Sequence, residues 1–337
     1  MALLPDYHPQ KDFFVLDIAD VVPKDDMATM EHPLFSLATK PDMRHLHYEN
    51  GENTLKIIPS GIGLPTIFDK DILIFCISQL MHRKNRGEPI GKRVRFSARE
   101  LMVTTNRKTG GVEYSRLEQA FNRLVGTTFT TRIRINYKIE TRIFSLIDAG
   151  GFVRTANEKS RLDYCEVVLS DWLMQVIEAN EVVSISRDYF RLRRPLERRL
   201  YEIARKHCGS QKRWQINLVN LQTKTGSNAP LKKFRHNLRQ IIKEDQTPFY
   251  RMELAPDDLV IFQPREQNTT ELSIPEWAED KGREIAHDRG WDYYALRSKW
   301  MDFAAKKSNA GTPPKNAGAA FIAYCKKQKN LRASGTQ

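Results

Sequence analysis

Apolar residues recur along this chain with a helical rhythm, and one particular rhythm occurs twice. Tyr114, Leu117, Phe121, Leu124 and Val125 form the first set; Leu231, Phe234, Leu238, Ile241 and Ile242 form the second, in the same phase. Spacing of i, i+3, i+7, i+10 and i+11 places each set on one buried stripe of an α-helix. At roughly 100° per residue the second helix turns Lys232, Lys233, His236, Arg239, Gln240 and Lys243 away from its stripe. The first turns out Ser115, Arg116, Gln119, Asn122 and Arg123.

The flanks repeat as well. Upstream of the first set, Asp69 is a plausible N-cap for a buried helix carrying Ile72, Leu73, Phe75, Cys76 and Leu80, which ends in the polar run His82 to Gly87. Ser97, with Glu100 at the capping-box position, starts a short helix through Leu101. Downstream, Thr127 to Tyr137 alternates Arg132 and Arg134 with Ile133 and Ile135; Thr141 to Ile147 and Leu162 to Leu169 complete a predicted β-wing. In the second pass Ser186 opens a helix containing Leu196, Leu200, Ile203 and Ala204, with Gly209 as its C-cap candidate. Ile216 to Leu221 is the short helix, and Thr225-Gly226-Ser227 with Pro230 lead into the basic one. Thr247 to Leu254, the Pro256-Asp257-Asp258 turn and Leu259 to Phe262 make the second wing. Arg107 and Thr109 fall opposite Lys224 and Gly226 at the same offset.

Helix, helix, helix, wing is the order of a winged-helix domain, a relative of the helix-turn-helix. The fold class read from this order is α+β: tandem winged-helix domains with an irregular N-terminal segment and a small C-terminal helical region. The boundaries follow: residues 1–42 as the N-terminal segment, 43–169 and 170–263 as the two winged-helix domains, 264–274 as linker, 275–328 as the helical region and 329–337 as a polar tail. Within the N-terminal segment, Phe13, Phe14, Val15, Leu16 and Ile18 form one apolar patch. Leu34, Phe35 and Leu37 form another, so the segment is expected to pack on the body or on a second copy. Asn50-Gly51 marks a hairpin between Leu46 and Ile58. The C-terminal region carries Trp277, Ile285, Trp291, Leu296, Trp300 and Phe303, with Trp291 and Trp300 assigned to a small core.

Composition narrows the partner. The chain has 337 residues, 40% hydrophobic, enough for two domains with real cores. Its formal net charge of +13 fits nucleic acid or another anionic surface. No apolar run approaches the ~18 residues that cross a membrane, and the first residues lack the basic-then-apolar order of a secretory signal. Cys76, Cys165, Cys208 and Cys325 stand singly, which reads as reduced thiols of a cytoplasmic protein. No GxxxxGK[ST] stretch occurs, so ATP-driven loading or unwinding is not expected.

The helix from Leu231 carries one sign of charge on its outer face, with Lys232 and Lys233 in the first turn, where recognition helices approach base edges. Arg and Lys donate to guanine, Gln pairs with adenine, and the rest touch phosphate. The DNA-contact set is therefore Lys232, Lys233, His236, Arg239, Gln240 and Lys243, with Arg251 from the second wing. Arg116, Gln119 and Arg123 come from the first helix, and Arg132 and Arg134 from its wing, with Arg142 beside them. Each wing arginine is read equally well as a solvated strand residue. Arg191, Arg193, Arg194, Arg198, Arg199 and Arg205 are read as mostly structural, paired with Glu197 and Glu202. His45-Leu46-His47 has the His-apolar-His form that holds a metal in rolling-circle nickases, for which Tyr201 would be the nucleophile. Yet Tyr48-Glu49-Asn50 follows it, not the apolar residues that bury a metal-bearing strand, so no metal, cofactor or catalytic residue is assigned. Asp69 and Asp71 read as cap and first-turn charges.

Four stretches are similar to the replication initiator protein A family of bacterial plasmids. They are Met30 to Phe35, Ile67 to Ile74, Arg194 to Tyr201 with Ala204 to Gly209, and Thr225-Gly226-Ser227 leading to Pro230 to Arg235. The resemblance runs over most of the chain. It implies a non-enzymatic initiator with tandem winged helices that binds repeated double-stranded sites at a plasmid origin, helps open it and recruits host replication proteins. It also implies dimers that repress and monomers that initiate. No residue roles are carried over from it; the contact set rests on helical phase. The alternative of another class is a winged-helix transcriptional repressor, against which the extra C-terminal helices speak.

Overall fold

The computed structural model describes residues 3–4, 13–15, 33–85, 88–135, 137–154, 162–178, 183–208, 211–265, 274–289, 293–309, 314 and 316–328. Strand β1 (Phe13–Val15) comes first, then the hairpin of β2 (Leu46–Asn50) and β3 (Asn53–Ile58). Gly51, at φ 58°, turns that hairpin where Asn50-Gly51 predicts it.

One order of elements is then run through twice. The first pass is α1 (Lys70–Asn85), β4 (Arg93–Phe96), α2 (Ala98–Thr104) and α3 (Gly111–Gly126). The strands β5 (Thr128–Ile135), β6 (Lys138–Phe144), β7 (Ile147–Arg154) and β8 (Leu162–Leu169) follow. After α4 (Asp171–Glu178) and β9 (Val183–Ile185) comes the second pass. It comprises α5 (Pro195–His207), β10 (Trp214–Asn217), α6 (Leu218–Thr225), α7 (Leu231–Glu244), β11 (Tyr250–Leu254) and β12 (Leu259–Pro264). The sheets match: β4-β8-β7 in the first pass and β10-β12-β11 in the second, all antiparallel. In each, the strand after the first helix pairs with the last strand, which pairs with the one before it.

This topology corrects the first wing. The strand expected from Thr127 to Tyr137 and its returning partner are β5 and β6, and they join β2 and β3 in a separate four-stranded sheet. The counterparts of β11 and β12 are β7 and β8. Strand identity is legible in β-branched alternation, but partner choice is a tertiary matter. Gly150-Gly151 in β7 also disguises that strand locally as a turn. A Cβ at Gly150 would stand 2.8 Å from the Phe121 ring, so the glycine is where α3 packs closest to the sheet.

Smaller corrections follow. Trp214–Asn217 is a strand; Asn217 then caps α6, its side chain accepting from the Val219 amide, so the short helix begins at Leu218 rather than Ile216. Ser186 opens a 3-10 turn, Arg187–Arg191; α5 begins at Pro195, whose ring fits the first helical position, and its C-cap is Cys208, while Gly209 lies outside the described residues. In α3 the buried stripe is Leu117, Ala120, Phe121 and Leu124. Val125, at the stripe's edge, is exposed.

The second pass has a continuous core of Tyr189, Leu200, Tyr201, Ile203, Leu218, Leu221, Phe234, Leu238, Ile241, Val260 and Phe262. The N-terminal segment packs on the body, as its apolar patches predict. Strand β1 pairs with β9, Leu3 packs against this core, and Phe35 is buried. Leu16, Ile18 and Pro23 lie outside the described residues.

Charged groups tie the two passes together. Asp71 is buried and its carboxylate accepts from Arg107 (2.9 Å) on the loop before α3 and from Arg198 (2.7 Å) on α5. Lys70 meets Glu202 at 3.0 Å, both side chains buried, and Glu202 accepts from the Tyr189 hydroxyl at 2.7 Å. Within each pass, the residue preceding the first helix pairs with a residue in the last turn of the third. These pairs are Asp69 with Arg123 (2.7 and 2.9 Å) and Arg194 with Glu244 (2.6 Å), of opposite polarity. Asp69 is therefore an ion-pair residue whose carboxylate also accepts from the Thr66 amide, not a simple helix cap.

By compactness the chain forms two units: one comprises the residues to Leu80 and Gly91–Pro264, the other Met81–Ile90 and the residues from Arg265. The latter holds α8 (Glu276–Asp288), α9 (Tyr293–Asn309) and α10 (Ala317–Lys327) around Ala278, Leu296, Trp300, Phe321 and Cys325. Trp300 fills this core; Trp291 lies outside the described residues. No helix among the described residues is long and apolar enough to cross a membrane. All four cysteines are buried free thiols, and burial pushes Cys76 well up from its ordinary value.

Candidate nucleic-acid interface

Helix α7 is positioned by what precedes it. Gly226, at φ 72°, ends α6 in the left-handed conformation, and five residues later α7 starts at Leu231, behind Pro230. Asp245, also left-handed at φ 47°, closes it. Phe234, Leu238 and Ile241 lock the inner stripe. The periodicity then leaves Lys232, Lys233, His236, Arg239, Gln240 and Lys243 exposed, all on the outer side.

Two electrostatic features mark this face. Its first turn contains no acidic residue and two lysines, the reverse of what the helix dipole favours for an isolated helix. Among the described residues, no carboxylate forms an ion pair with Lys232, Lys233, Arg239 or Lys243. Lys232, Arg235, His236, Arg239 and Asp258 line a shallow depression. Arg235 is committed to Asp258, donating from Nε at 3.1 Å and from Nη2, and so ties α7 to the β11–β12 turn. Helical phase alone gives no sign of that link, because Asp258 is brought to Arg235 by the β11–β12 turn. Arg251 on β11 is exposed, with Asp245 3.7 Å away.

The first-pass candidates are placed differently. Ser115, Arg116, Gln119 and Asn122 are exposed on α3, with Arg116 bonded to Glu113. Arg123 is the exception: its guanidinium is mostly buried and bidentate on Asp69, so its expected outward placement is corrected. The periodicity locates its Cα correctly. It has no means of foreseeing an acid brought within reach by a loop 54 residues earlier. Arg132 and Arg134 are exposed on the outer face of the β2-β3-β5-β6 sheet rather than on the β7–β8 strands. Arg134 pairs with Glu52, and Arg142 with Glu140 at 2.6 Å. The β4-β8-β7 sheet carries an exposed basic pair not foreseen, Arg93 and Arg95, both bonded to Glu166.

The residues that a nickase would use are placed as follows. His47 pairs with Glu49 at 2.9 Å, and among the described residues no group of three His, Cys, Asp or Glu side chains is placed to hold a metal. The Tyr201 side chain is fully buried, and its oxygen accepts from the Ser186 amide at 2.8 Å. Burial pushes its hydroxyl up to about 12. Four arginines of the run are held by the protein's own acids: Arg191 pairs with Asp188, Arg194 with Glu197 and Glu244, Arg198 with Asp71, and Arg199 with Glu202, whereas Arg193 is exposed.

Comparison with known proteins sets this interface in context. Residues 24–252 match the family model described as Replication initiator protein A. A chain of Wigglesworthia glossinidia brevipalpis named "Putative replication protein" is 36% identical over 259 residues, covering 76% of this chain and 94% of the relative. Among solved structures, a crystal structure of domains 2 and 3 of RctB aligns with a TM-score of 0.51 at 10% identity, covering 68% of this chain and 94% of that one. A second crystal structure of the same RctB domains aligns at 0.48 and 12% identity, covering 69% and 94%. The likeness to RctB is one of fold: a mixed α+β architecture.

Proposed function

The chain belongs to the replication initiator protein A family, and from that premise we propose that it binds repeated double-stranded sites at a plasmid origin through tandem winged helices. On this reading α1-β4-α2-α3-β7-β8 and α5-β10-α6-α7-β12-β11 are the two modules. Helix α7 reads a major groove, and α3, with fewer uncommitted cations, makes a weaker contact. Energy gained by contact is invested in bending and loosening neighbouring A/T-rich DNA, to which host replication proteins are recruited. The single observation behind this reading is the α7 face, where four exposed cations lie on the outer side with no acidic partner among the described residues. A solvated surface helix gains stability from interspersed acids; this one forgoes them, as a phosphate-facing helix does.

A second copy of the chain has a candidate seat too. Ile58, Ile139 and Ile143 are exposed on one face of the β2-β3-β5-β6 sheet, of which β6 is an edge strand. That face suits the repressing dimer that the family resemblance implies.

The test is an electrophoretic shift titration on the cognate origin repeats with Lys233→Ala/Arg239→Ala. Severely weakened binding is expected, with a salt slope lowered by about 1 for each phosphate that is no longer neutralised. Unchanged binding rejects α7 as the reading helix. A plasmid carrying only this gene and its upstream repeats separates initiator from repressor, because only an initiator sustains replication after transformation.

A further inference from the structure

Aligned by their apolar sets, α3 and α7 differ in what they carry on the outer side. Ser115, Gln119 and Asn122 of α3 take the places of Lys232, His236 and Arg239 of α7. Helix α3 also begins three residues earlier in this register, at Gly111, and the added turn carries Val112. At roughly 100° per residue, Val112, Ser115, Gln119 and Asn122 fall on one line (i, i+3, i+7, i+10) opposite the buried stripe. All four are exposed, and none is charged. Val112 is 67% exposed, more than any other large apolar side chain borne on a helix among the described residues. Valine is a weaker helix former than alanine or the long polar residues, so the helix itself gains nothing from it. A lone apolar residue on a surface is ordinary. This one leads an otherwise polar outer line, in the first turn, where a reading helix meets base edges. A Cβ at Gly110 or Gly111 would meet nothing within 4 Å, so the space ahead of Val112 is open.

We infer that Val112 reads thymine through its 5-methyl group, and that the first module supplies sequence discrimination where the second supplies charge. This rests on the duplex-binding reading above and names what α3 does within it. The thymine methyl is the one apolar group on the major-groove edges of the four bases. An aliphatic side chain has no hydrogen bond to offer the other bases and leaves their polar edge atoms without a partner. Behind Val112, Ser115, Gln119 and Asn122 offer neutral hydrogen-bonding groups, which distinguish bases without adding attraction to phosphate.

The experiment uses the full chain and the cognate origin repeats in the shift assay, with each thymine replaced in turn by uracil, which removes the methyl group and keeps the base pair. At one thymine of the repeat, uracil is expected to weaken wild-type binding about fourfold, the value of one buried methyl group, and to leave Val112→Ala binding unaltered. On unmodified repeats Val112→Ala should bind about fourfold or more weakly than wild type with an unchanged salt slope, in contrast to Lys233→Ala/Arg239→Ala. Matching thermal melts establish that the variant is folded. Val112→Gln, a good helix former without a methyl group, is the second variant and should be equally blind to uracil. Unaltered affinity in both variants, or a uracil profile identical in wild type and both variants, overturns the inference while duplex binding stands. No binding of wild type to the repeats overturns the proposed function and this inference together. Unchanged binding in Lys233→Ala/Arg239→Ala rejects α7 alone and leaves the uracil profile to decide α3, so the two readings fail separately.

Discussion

Arg198 on α5 donates from Nη1 to Oδ1 of Asp71 in the first turn of α1, 2.7 Å apart in space and 127 residues apart in the chain. Both side chains are almost wholly buried, and the guanidinium also lies 4.5 Å from the Phe68 ring centre and donates to the Leu192 carbonyl at 3.1 Å. A charge pair this deep is costly to assemble but far costlier to break on one side. Arg198→Ala should therefore destabilise the chain by about 3–5 kcal/mol in urea unfolding. Asp71→Asn, which leaves both Arg107 and Arg198 without their carboxylate, should cost at least as much as Arg198→Ala, after which Asp71 still holds Arg107. A single-variant loss under about 1 kcal/mol would mean that water reaches the pair.

Gly226 is under two constraints at once. Its φ of 72° is left-handed, and a Cβ there would stand 2.2 Å from Cγ of Pro33 in the N-terminal segment. Gly226→Ala should cost about 2 kcal/mol or more, part from backbone strain of about 1 kcal/mol and the rest from displacing Pro33. Pro33→Gly introduced alongside should recover only the steric part. If the double variant is no more stable than Gly226→Ala, the N-terminal segment does not bear on the α6–α7 turn in solution.

What the sequence reveals and what it hides divide along the range of the interactions. Phe234, Leu238 and Ile241 declare the inner face of α7, and with it the outward lysines, because helical phase is a local property. The pairing of β5 with β3, which takes the β5–β6 hairpin into a sheet without β8, is hidden because alternation tells a strand its faces but not its neighbours. Arg123 departs from its expected place for a related reason: a cation's partner is chosen by the fold, and Asp69 is brought to it by the loop that precedes α1.

Asp42 gives the fold a measurable acid dependence. Hydrogen bonds from Arg44 at 2.8 and 2.7 Å, with one from Ser36 at 2.7 Å, hold its carboxyl down to about 2 from an ordinary 3.8. Because the folded value is depressed, the stabilisation is fully present above 3.8 and is lost as pH falls toward about 2. Arg44 is nearly half exposed, so the contribution is about 1 kcal/mol after solvent screening. The stability gap between wild type and Asp42→Asn should hold from about pH 7 to 5 and narrow below about pH 4 in parallel urea titrations. A gap that does not change with pH would assign the effect to packing.

Arg123 and Arg239 test whether placement, rather than residue type, decides an arginine's role. Helical phase puts both on an outer face. Arg123 is instead locked to Asp69 with its side chain 15% exposed, whereas Arg239 is exposed and has no acidic partner among the described residues. Arg123→Gln should cost about 3 kcal/mol of stability, since it strands a buried carboxylate, and change origin affinity only through loss of folded protein. Arg239→Gln should leave the stability within about 0.5 kcal/mol of wild type, as surface changes do, yet weaken origin binding and flatten its salt dependence. Measuring both quantities on both variants is decisive. If Arg123→Gln lowers affinity at full folded occupancy, α3 contacts DNA through a guanidinium that leaves Asp69 on binding, and the reading face must be redrawn to include it.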